Sequence, residues 1–509
     1  MVKPKIVFWT LSDSKLPESL DTEEGIGTYK LSAIARKHGY DVESFQGNQF
    51  GCDPSKIDQR TKESLQADGI VGVSSFSTAK GLLEKLAQTD SFSQFPLVLG
   101  GAGATTTPQQ YLEIFRANNP RALVQGDGEL LFGRILKTDA SRWHEIEGLW
   151  TYSPEGTIKN GTFQTLADID QSPFTDLSPS HMRKTSEAKI NNSSLSIEER
   201  IDALRSLQFS HFETRRGCYY HCEFCSEPQL AERGVRRMTP KRAVEEMTHL
   251  YDQFGITFFN FTDNIAFDKQ EWWHEFAHEL KESGVSPYLT FGGYGTPKFF
   301  SERDWFAETI PALSQVGLSF ITLGVQAGSK RVLKDIIRRP DDDPENALRV
   351  VEQAVPLGVN VKTDFIVGHP TETRGELQET QEAVRRIYDA GGQVFVRKLG
   401  VVPNSGYEIH LGEGKYELPQ WTPEFESAAN QVLGYHGRKD SFKRVSTSHG
   451  VVPNLEYIDR ERGIRFPKAS MGLEDLRAGQ KALRSDGMSN HVRKRYALLY
   501  DLVIQQKAK

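Results

Sequence analysis

The residues of this 509-residue chain with the clearest chemical potential are three cysteines, Cys218, Cys222 and Cys225. Their C-x3-C-x2-C spacing follows a predicted strand, so the sequence places them on a loop at the carboxyl end of that strand. Three thiolates on one short loop can ligate three irons of an iron–sulfur cluster and leave a fourth iron open to a substrate. A structural zinc site needs four closed ligands, and the nearest further candidate, His221, lies inside the spacer. The spacing therefore favours an iron–sulfur cluster over zinc.

The elements that precede this loop form a first α/β series. Its predicted strands are Lys5–Thr10, Tyr40–Phe45, Ala67–Ser75, Phe95–Gly101 and Arg121–Gln125, and a helix is predicted over Thr28–His38. Strands alternating with helices are typical of a parallel, doubly wound sheet with helices on both faces. We therefore predict a doubly wound, Rossmann-like α/β domain over residues 1–137, followed by a linker with a small hairpin over residues 138–205.

A second α/β series covers residues 206–411 and includes the cysteine loop. Its predicted strands are Phe209–Thr214, Phe258–Phe261, Tyr288–Phe291, Phe320–Gly324, Val361–Val367 and Gln393–Leu399. Six repeats are too few for an eight-unit barrel and fit an open, partial (βα)6 barrel. Residues 412–509 show helical patterns over Glu424–Val432, Gly472–Leu483 and His491–Gln506, which predicts a small helical C-terminal domain.

Composition excludes several classes of protein. The net charge of −6 argues against nucleic-acid binding, because phosphate recognition needs a basic surface. No segment approaches the roughly 18–20 apolar residues of a membrane helix, and the N-terminal apolar run is too short for a secretory signal. The clustered cysteines also lack the spread of a secreted disulfide framework. We expect a cytoplasmic protein, in which Cys52 is a lone thiol.

The second series resembles the radical S-adenosylmethionine (SAM) superfamily. An aromatic residue, Phe224, precedes the last cysteine, and later segments match the superfamily in order, namely Phe261–Asn264, Gly324–Ser329, Ile366–Thr373 and Val402–Gly406. By this resemblance, the three cysteines hold a [4Fe-4S] cluster whose open iron binds SAM and whose electron cleaves it to a 5′-deoxyadenosyl radical.

The same resemblance assigns five residues to the SAM site: Phe224, Asp263, Gln326, Gly368 and Glu372. Gln326 stands where the superfamily usually has Glu, so this position can hydrogen-bond but carries no charge. From the residues alone, Asp263-Asn264 is equally well a helix cap or a turn. Further side chains at predicted strand ends are candidates for substrate contact, namely Tyr219, Tyr220, His221, Tyr294, His369 and Arg397.

Beside such a core, the first series resembles a cobalamin-binding domain. The matching residues are small or glycine-rich strand ends, among them Ser74, Gly100, Gly101, Gly103, Thr105, Gly126 and Glu129. Neither a G-x-G-x-x-G fingerprint nor a phosphate-binding P-loop is present. The Asp-x-His-x-x-Gly motif that supplies a histidine to cobalt is also missing, so the resemblance implies cobalamin without a histidine below the metal.

Together, the resemblances imply a cobalamin-dependent radical SAM methyltransferase. One SAM would supply the radical and a second would methylate cobalamin, which delivers the methyl group to an unactivated carbon or a phosphinate centre of a small natural-product substrate. The alternatives are transfer of the 3-amino-3-carboxypropyl group of SAM, as in arsinothricin biosynthesis with arsenite as acceptor, a radical rearrangement or cyclisation, and a non-catalytic corrinoid-binding sensor. The implied partner is a one-electron reductant of the flavodoxin or ferredoxin type.

Overall fold

The structure is a computed structural model that describes residues 3–12, 25–65, 69–76, 79–116, 120–226, 234–301, 305–402, 404–436, 445–447, 450–452, 457–459, 464–465, 467, 471–483 and 488–508. The chain divides into two compact units, Met1–Leu195 and Ser196–Thr447 with Val451–Lys509. The finer boundaries at residues 137, 205 and 411 stay predictions. Among the described helices, none is both long enough and apolar enough to cross a membrane.

The first unit is built on a seven-stranded sheet. Its strands are β1 (Lys5–Leu11), β2 (Asp41–Gln46), β3 (Ile70–Ser75), β4 (Leu97–Gly100), β5 (Arg121–Leu123), β6 (Trp150–Tyr152) and β7 (Ile158–Lys159). The order is β2-β1-β3-β4-β5-β6-β7, with β1–β5 parallel and the hairpin β6–β7 antiparallel at one edge. This doubly wound order brings the carboxyl ends of β1, β3, β4 and β5 to one edge, where ligands bind in such sheets.

Apolar side chains leave both faces of this sheet and build a core on each side. On β1, Val7 and Trp9 join one buried cluster, whereas Ile6 and Phe8 join another. A parallel sheet covered on both faces requires this alternation, so the predicted doubly wound fold is confirmed. The covering helices are α1 (Ile26–Lys37), α2 (Pro54–Ser64), α3 (Lys80–Leu86), α4 (Asp90–Gln94), α5 (Gly101–Thr106), α6 (Pro108–Ile114), α7 (Glu129–Lys137) and α8 (His181–Asn191).

The second unit is built on a six-stranded parallel sheet. The strands in chain order are β8 (Phe209–Phe212), the short ribbon β9 (Arg215–Arg216) with β10 (Arg236–Arg237), and then β11 (Phe258–Phe261), β12 (Thr290–Gly295), β13 (Leu318–Gln326), β14 (Asn360–Val367) and β15 (Gln393–Lys398). The sheet order is β15-β14-β13-β12-β11-β8, and no pairing within the described ranges joins β15 to β8. The predicted open, partial barrel is therefore confirmed.

The helices of the second unit begin where the sequence carries capping residues. Thr239 accepts a hydrogen bond from the Arg242 backbone, with Pro240 in the first turn, as the pattern of Thr-Pro before a helix predicts. Complete capping boxes precede α9 and α14. The helices are α9 (Ile197–Ser206), α10 (Pro240–Phe254), α11 (Gln270–Glu282), α12 (Ile310–Val316), α13 (Pro344–Ala354), α14 (Arg374–Asp389), α15 (Gly406–Gly412), α16 (Pro423–Leu433), α17 (Leu473–Ala482) and α18 (Asn490–Ala508).

The C-terminal segment contains more than the predicted helices. Besides α16, α17 and α18, the structure shows four short strands, β16 (Val445–Thr447), β17 (Gly450–Val452), β18 (Tyr457–Asp459) and β19 (Ile464–Arg465). They pair two by two. A pair of three-residue strands gives almost no periodic signal, so the sequence pattern indicated helices only.

Candidate functional site

The three cysteines lie on one loop beyond β8 and β9, at the carboxyl end of the barrel strands. Cys222 is buried, whereas Cys218 and Cys225 are partly exposed, and none of the three forms a disulfide. The loop turns tightly, because the Cys225 backbone N–H donates to the carbonyl of Cys222 at 3.0 Å. Cys222 packs on a buried apolar cluster that includes Ala327 and Tyr407. The fold therefore presents the three sulfurs from a loop that rests on the barrel core.

The chemistry of the three sulfurs fits a soft metal centre. The pKa of the Cys222 thiol is raised to about 12, mainly by burial; the Arg339 guanidinium opposes this rise, and Cys225 and Cys218 contribute to it. Metal binding displaces the proton of such a thiol. Among the described residues, no group of three His, Cys, Asp or Glu side chains stands in a metal-holding arrangement.

A buried carboxylate inside the cysteine loop fastens it to two other elements. Glu223 Oε2 lies 2.8 Å from His410 Nδ1, and Glu223 Oε1 lies 2.6 Å from Arg338 Nε. The backbone N–H of Glu223 donates to the Ile337 carbonyl at 3.2 Å, and its carbonyl accepts from the Tyr407 N–H at 2.7 Å. Sequence reasoning missed Glu223, although a carboxylate between two candidate metal ligands was visible in the motif.

Asp263 bonds the chain that enters the cysteine loop, and its SAM role stays a prediction. Its Oδ1 accepts from the backbone N–H groups of Thr214 and Arg215 at 2.8 and 2.9 Å, and Oδ2 accepts from the Thr214 hydroxyl. Burial raises the pKa of Asp263 to about 6, and the bonds from Thr214 oppose that rise. Both oxygens are thus engaged by the chain that enters the cysteine loop, which favours a clasp over direct contact with SAM.

Gln326 lies at a break in the barrel register. The pairing of β13 with β14 shifts between Gly324 and Gln326, and Gln326 adopts a φ of 72°. A non-glycine residue in this region is strained and is commonly found at functional sites. Its side-chain amide donates to the Tyr294 hydroxyl at 3.2 Å. The register break therefore falls at the residue that the resemblance assigns to SAM.

The loop after β14 is closed by Glu372. Its Oε2 accepts from the backbone N–H groups of Gly368 and His369 at 2.6 and 3.1 Å. Burial raises the pKa of Glu372 to about 7. Its other oxygen, Oε1, is buried with no hydrogen-bond partner among the described residues. Burying an acceptor without a hydrogen-bond partner costs free energy. A hydroxyl or amino group of a nucleoside such as SAM would be a suitable donor to this oxygen.

Gly368 and Phe224 line the same end of the barrel. Gly368 has a φ of 92°, and an added Cβ there would lie 3.0 Å from the ring of Trp421, an exposed residue that sequence reasoning missed. Phe224 packs beside Cys222 and Cys225. Pro403, in the last matching segment, lies outside the described residues. The SAM roles of these residues stay predictions.

The candidate substrate contacts divide into open and closed positions. His221, Tyr219 and Arg397 are exposed at the carboxyl end of the barrel. By contrast, Tyr220 is partly buried beneath the Arg339 guanidinium, Tyr294 is engaged by Gln326, and His369 is fully buried. His369 therefore does not face an open site.

In the first unit, the predicted corrinoid residues meet at the carboxyl edge of the sheet. Ser74 pairs with Gly100 across β3 and β4. Gly101 has a φ of 88°, and a Cβ there would lie 2.7 Å from the Ser75 backbone nitrogen. The Thr105 hydroxyl accepts from the Gly126 N–H at 3.2 Å. The edge is thus a surface of backbone and small side chains that a bulky planar ligand can approach.

Two of the predicted residues are used within the unit itself. A Cβ on Gly103 would collide with the Tyr111 hydroxyl, so its glycine serves local packing. Glu129 accepts from the Ser172 hydroxyl at 2.9 Å. His181 packs against Phe45, near the carboxyl end of β2. A test of cobalt ligation should therefore include a His181 variant.

Comparison with known proteins places this fold and site in context. Residues 212–384 match the radical SAM superfamily. Cytidylyl-2-hydroxyethylphosphonate methyltransferase of Streptomyces wedmorensis is 24% identical over 405 residues, which cover 72% of each chain. The solved structure of the methyltransferase TsrM from Kitasatospora setae, with cobalamin and a [4Fe-4S] cluster bound, has a TM-score of 0.58 at 14% identity, covering 99% of this chain and all of that one.

A second solved structure shows the same architecture. The cobalamin-dependent SAM radical enzyme OxsB, with aqua-cobalamin and SAM bound, has a TM-score of 0.58 at 16% identity. The match covers 88% of this chain and 60% of OxsB. At these identities, the two likenesses show the fold.

Residues 212–384 form a radical SAM domain, and the enzymes of that superfamily use a [4Fe-4S] cluster and SAM. More narrowly, the chain is a radical SAM enzyme whose fold matches those of OxsB and TsrM, both solved with cobalamin bound. The resemblance drawn from the cysteine loop and the ordered segments is confirmed.

Proposed function

We propose that this chain is a cobalamin-dependent radical SAM methyltransferase that acts on a small-molecule substrate. The observation that carries the proposal is the loop of Cys218, Cys222 and Cys225 at the carboxyl end of an open barrel. A three-cysteine loop leaves one iron of a cluster for SAM. The name of the Streptomyces wedmorensis relative, a phosphonate methyltransferase, supports methyl transfer to a small, anionic acceptor.

The barrel residues would divide the work at the SAM site. Cys218, Cys222 and Cys225 would hold a [4Fe-4S] cluster, which supplies the electron that breaks the C5′–S bond of SAM into methionine and a 5′-deoxyadenosyl radical. Glu372 Oε1, which is buried without a hydrogen-bond partner among the described residues, would accept a hydrogen bond from the nucleoside. The side chains of Tyr219, His221 and Arg397 are exposed, and they would contact the substrate.

The first unit would hold the methyl carrier. Ser74, Gly100, Gly101, Thr105 and Gly126 form the sheet edge that would receive cobalamin. When bound, cobalamin supplies a carrier for the methyl group of a second SAM, which leaves as S-adenosylhomocysteine. The proposal includes a one-electron donor of the flavodoxin or ferredoxin class, because each radical cleavage consumes one electron.

The products formed from SAM test the proposal. The anaerobic protein, loaded with iron, sulfide and cobalamin, is given SAM, a reductant and a panel of phosphonate substrates. Methylation predicts S-adenosylhomocysteine and 5′-deoxyadenosine in about equal amounts, with methionine. Dominant 5′-methylthioadenosine would contradict methylation and indicate aminocarboxypropyl transfer. Formation of 5′-deoxyadenosine with no S-adenosylhomocysteine would indicate a rearrangement or cyclisation instead.

A further inference from the structure

The short helix α15 reaches from the cysteine loop to the loop that follows β14. It begins at a well-defined cap, where the buried Ser405 hydroxyl accepts from the Glu408 N–H at 3.2 Å. Three of its residues, Gly406, Tyr407 and His410, make the contacts described below. Tyr407 and His410 lie outside the segments that match the radical SAM superfamily. Gly406 is the last residue of the final matching segment, Val402–Gly406.

At the cysteine loop, α15 makes several close contacts with Glu223. Glu223 bonds His410 through its side chain at 2.8 Å and the Tyr407 N–H through its carbonyl at 2.7 Å. A Cβ on Gly406 would lie 2.2 Å from Glu223 Oε2, so only glycine permits this approach. Glu223 is 4% exposed. A buried carboxylate between Cys222 and Cys225 is therefore fixed to one face of α15.

At the loop after β14, the contact is a single buried hydrogen bond. The Tyr407 hydroxyl lies 3.0 Å from His369 Nδ1, and both residues are fully buried. The His369 backbone N–H is in turn held by Glu372 Oε2 at 3.1 Å. Tyr407 thus links α15 to the loop in which the resemblance places the adenine side of SAM.

We propose that α15 is a bracket that fixes the cysteine loop against the SAM-side loop, with Glu223, Tyr407 and His410 as its positioning residues. This inference rests on the proposed function, since it presupposes a cluster on the cysteines and SAM beside it. The physical basis is rigidity. The cysteine loop and the loop after β14, which would contact the same ligand, are both bonded to one short helix before that ligand binds. Preorganisation of this kind reduces the ordering cost of binding.

The test separates a bracket from two local supports. In full-length protein reconstituted anaerobically, we expect Glu223→Gln to retain about tenfold less iron after desalting, because a buried, charge-assisted contact is weakened. We expect Tyr407→Phe to keep its iron but to bind SAM about fivefold more weakly, through loss of one neutral hydrogen bond. SAM binding is measured by equilibrium dialysis with the oxidised cluster, so that no turnover occurs.

The decisive measurement is whether a substitution at Glu223, beside one end of the bracket, changes SAM binding at the other end. Glu223→Gln reloaded to the full iron content should still bind SAM more weakly than wild type, and its reduced cluster should show a smaller SAM-induced change in the electron paramagnetic resonance spectrum. A local support would leave both unchanged. Ile409→Ala, on the exposed side of the same helix, is the matched control and should behave as wild type.

Two outcomes would overturn the bracket. The first is an iron-reloaded Glu223→Gln that binds SAM as tightly as wild type, and the second is a Tyr407→Phe indistinguishable from Ile409→Ala. His410→Gln, which leaves the backbone contacts of Glu223 intact, replaces Glu223→Gln if that variant does not fold. A wild-type chain that holds no iron would instead refute the proposed function, so the two failures are distinguishable.

Discussion

At the scale of single residues, the buried carboxylates of the second unit hold backbone in place. Asp263 clasps the entry of the cysteine loop through Thr214 and Arg215, and Glu372 closes the loop after β14. Each accepts from two backbone N–H groups, which are otherwise expensive to bury unpaired. These two acidic residues therefore shape the loops, and Glu372 Oε1 has no hydrogen-bond partner among the described residues.

Glu372 should leave a signature in the pH dependence of stability. Burial raises its pKa from 4.5 to about 7, so the folded state binds its proton more tightly than the unfolded state does. Stability is then lost as pH rises from about 4.5 to about 7, by up to ~3 kcal/mol. We expect Glu372→Gln to flatten the fall in the urea midpoint of the iron-free protein between pH 5 and pH 8.

Glu376, four residues along, is the matched control for this prediction. Its hydrogen bond with Arg331 lowers the pKa of Glu376 to about 2, so its own contribution is lost only as pH falls from about 4.5 towards 2. Glu376→Gln should lower the midpoint by a similar amount at every pH from 5 to 8. An unchanged pH slope in Glu372→Gln would show that this carboxyl is not the titrating group.

At the scale of elements, the glycine turns of the first unit decide what its sheet edge can hold. The turn from β4 into α5 needs Gly101, because its φ is 88° and a Cβ would press on Ser75 and Ser74. Gly27, inside α1, has no atom within 4 Å of an added Cβ. Gly101 is therefore required by its backbone conformation and close neighbours, whereas a side chain could be added at Gly27 without a clash.

Substitution at these glycines should change corrinoid binding selectively. We expect Gly101→Ala to destabilise the unit by ~1–3 kcal/mol and to lose aquacobalamin on gel filtration, because the edge that carries Ser74 must shift. Gly27→Ala should be neutral or slightly stabilising, since alanine favours a helix interior. Absorbance of retained cobalamin and thermal unfolding measure both effects. Full cobalamin retention by Gly101→Ala would place the corrinoid elsewhere.

At the scale of the whole molecule, each candidate cofactor site is built within one compact unit. The cysteine loop and the SAM-side loop belong to the second unit, and the glycine turns belong to the first. Residues within one unit can assemble a site without the other unit's ligand. The two cofactors should therefore load independently, although turnover needs both.

A double dissociation tests this independence. The triple variant Cys218→Ala/Cys222→Ala/Cys225→Ala should lose essentially all iron and keep aquacobalamin, whereas Gly101→Ala should do the reverse. Cys52→Ala, in the first unit and outside the motif, should change neither. Iron analysis and the cobalamin absorbance of the same samples give the answer. Loss of cobalamin in the triple variant would mean that the sites are coupled, and retained iron would refute the cysteine assignment.

The sequence by itself determined the class of fold and predicted a ligand set for the cluster. Strand periodicity and order predicted both sheets, because buried strands are local patterns of apolar residues. The spacing of Cys218, Cys222 and Cys225 also needed no tertiary information, since ligands on one short loop are close in space whatever surrounds them. Two short strand pairs near the C-terminus escaped, because segments of two or three residues carry no period.

Only the tertiary structure decided what the remaining polar residues do. Glu223 meets His410 across 187 residues of sequence, and Tyr407 meets His369 across 38, so no local pattern could pair them. Asp263 matched a motif, and the fold brings its Oδ1 to two backbone N–H groups 49 and 48 residues away and its Oδ2 to the Thr214 hydroxyl. Sequence records which groups are present, whereas partners distant along the chain are set by how the sheet and helices pack.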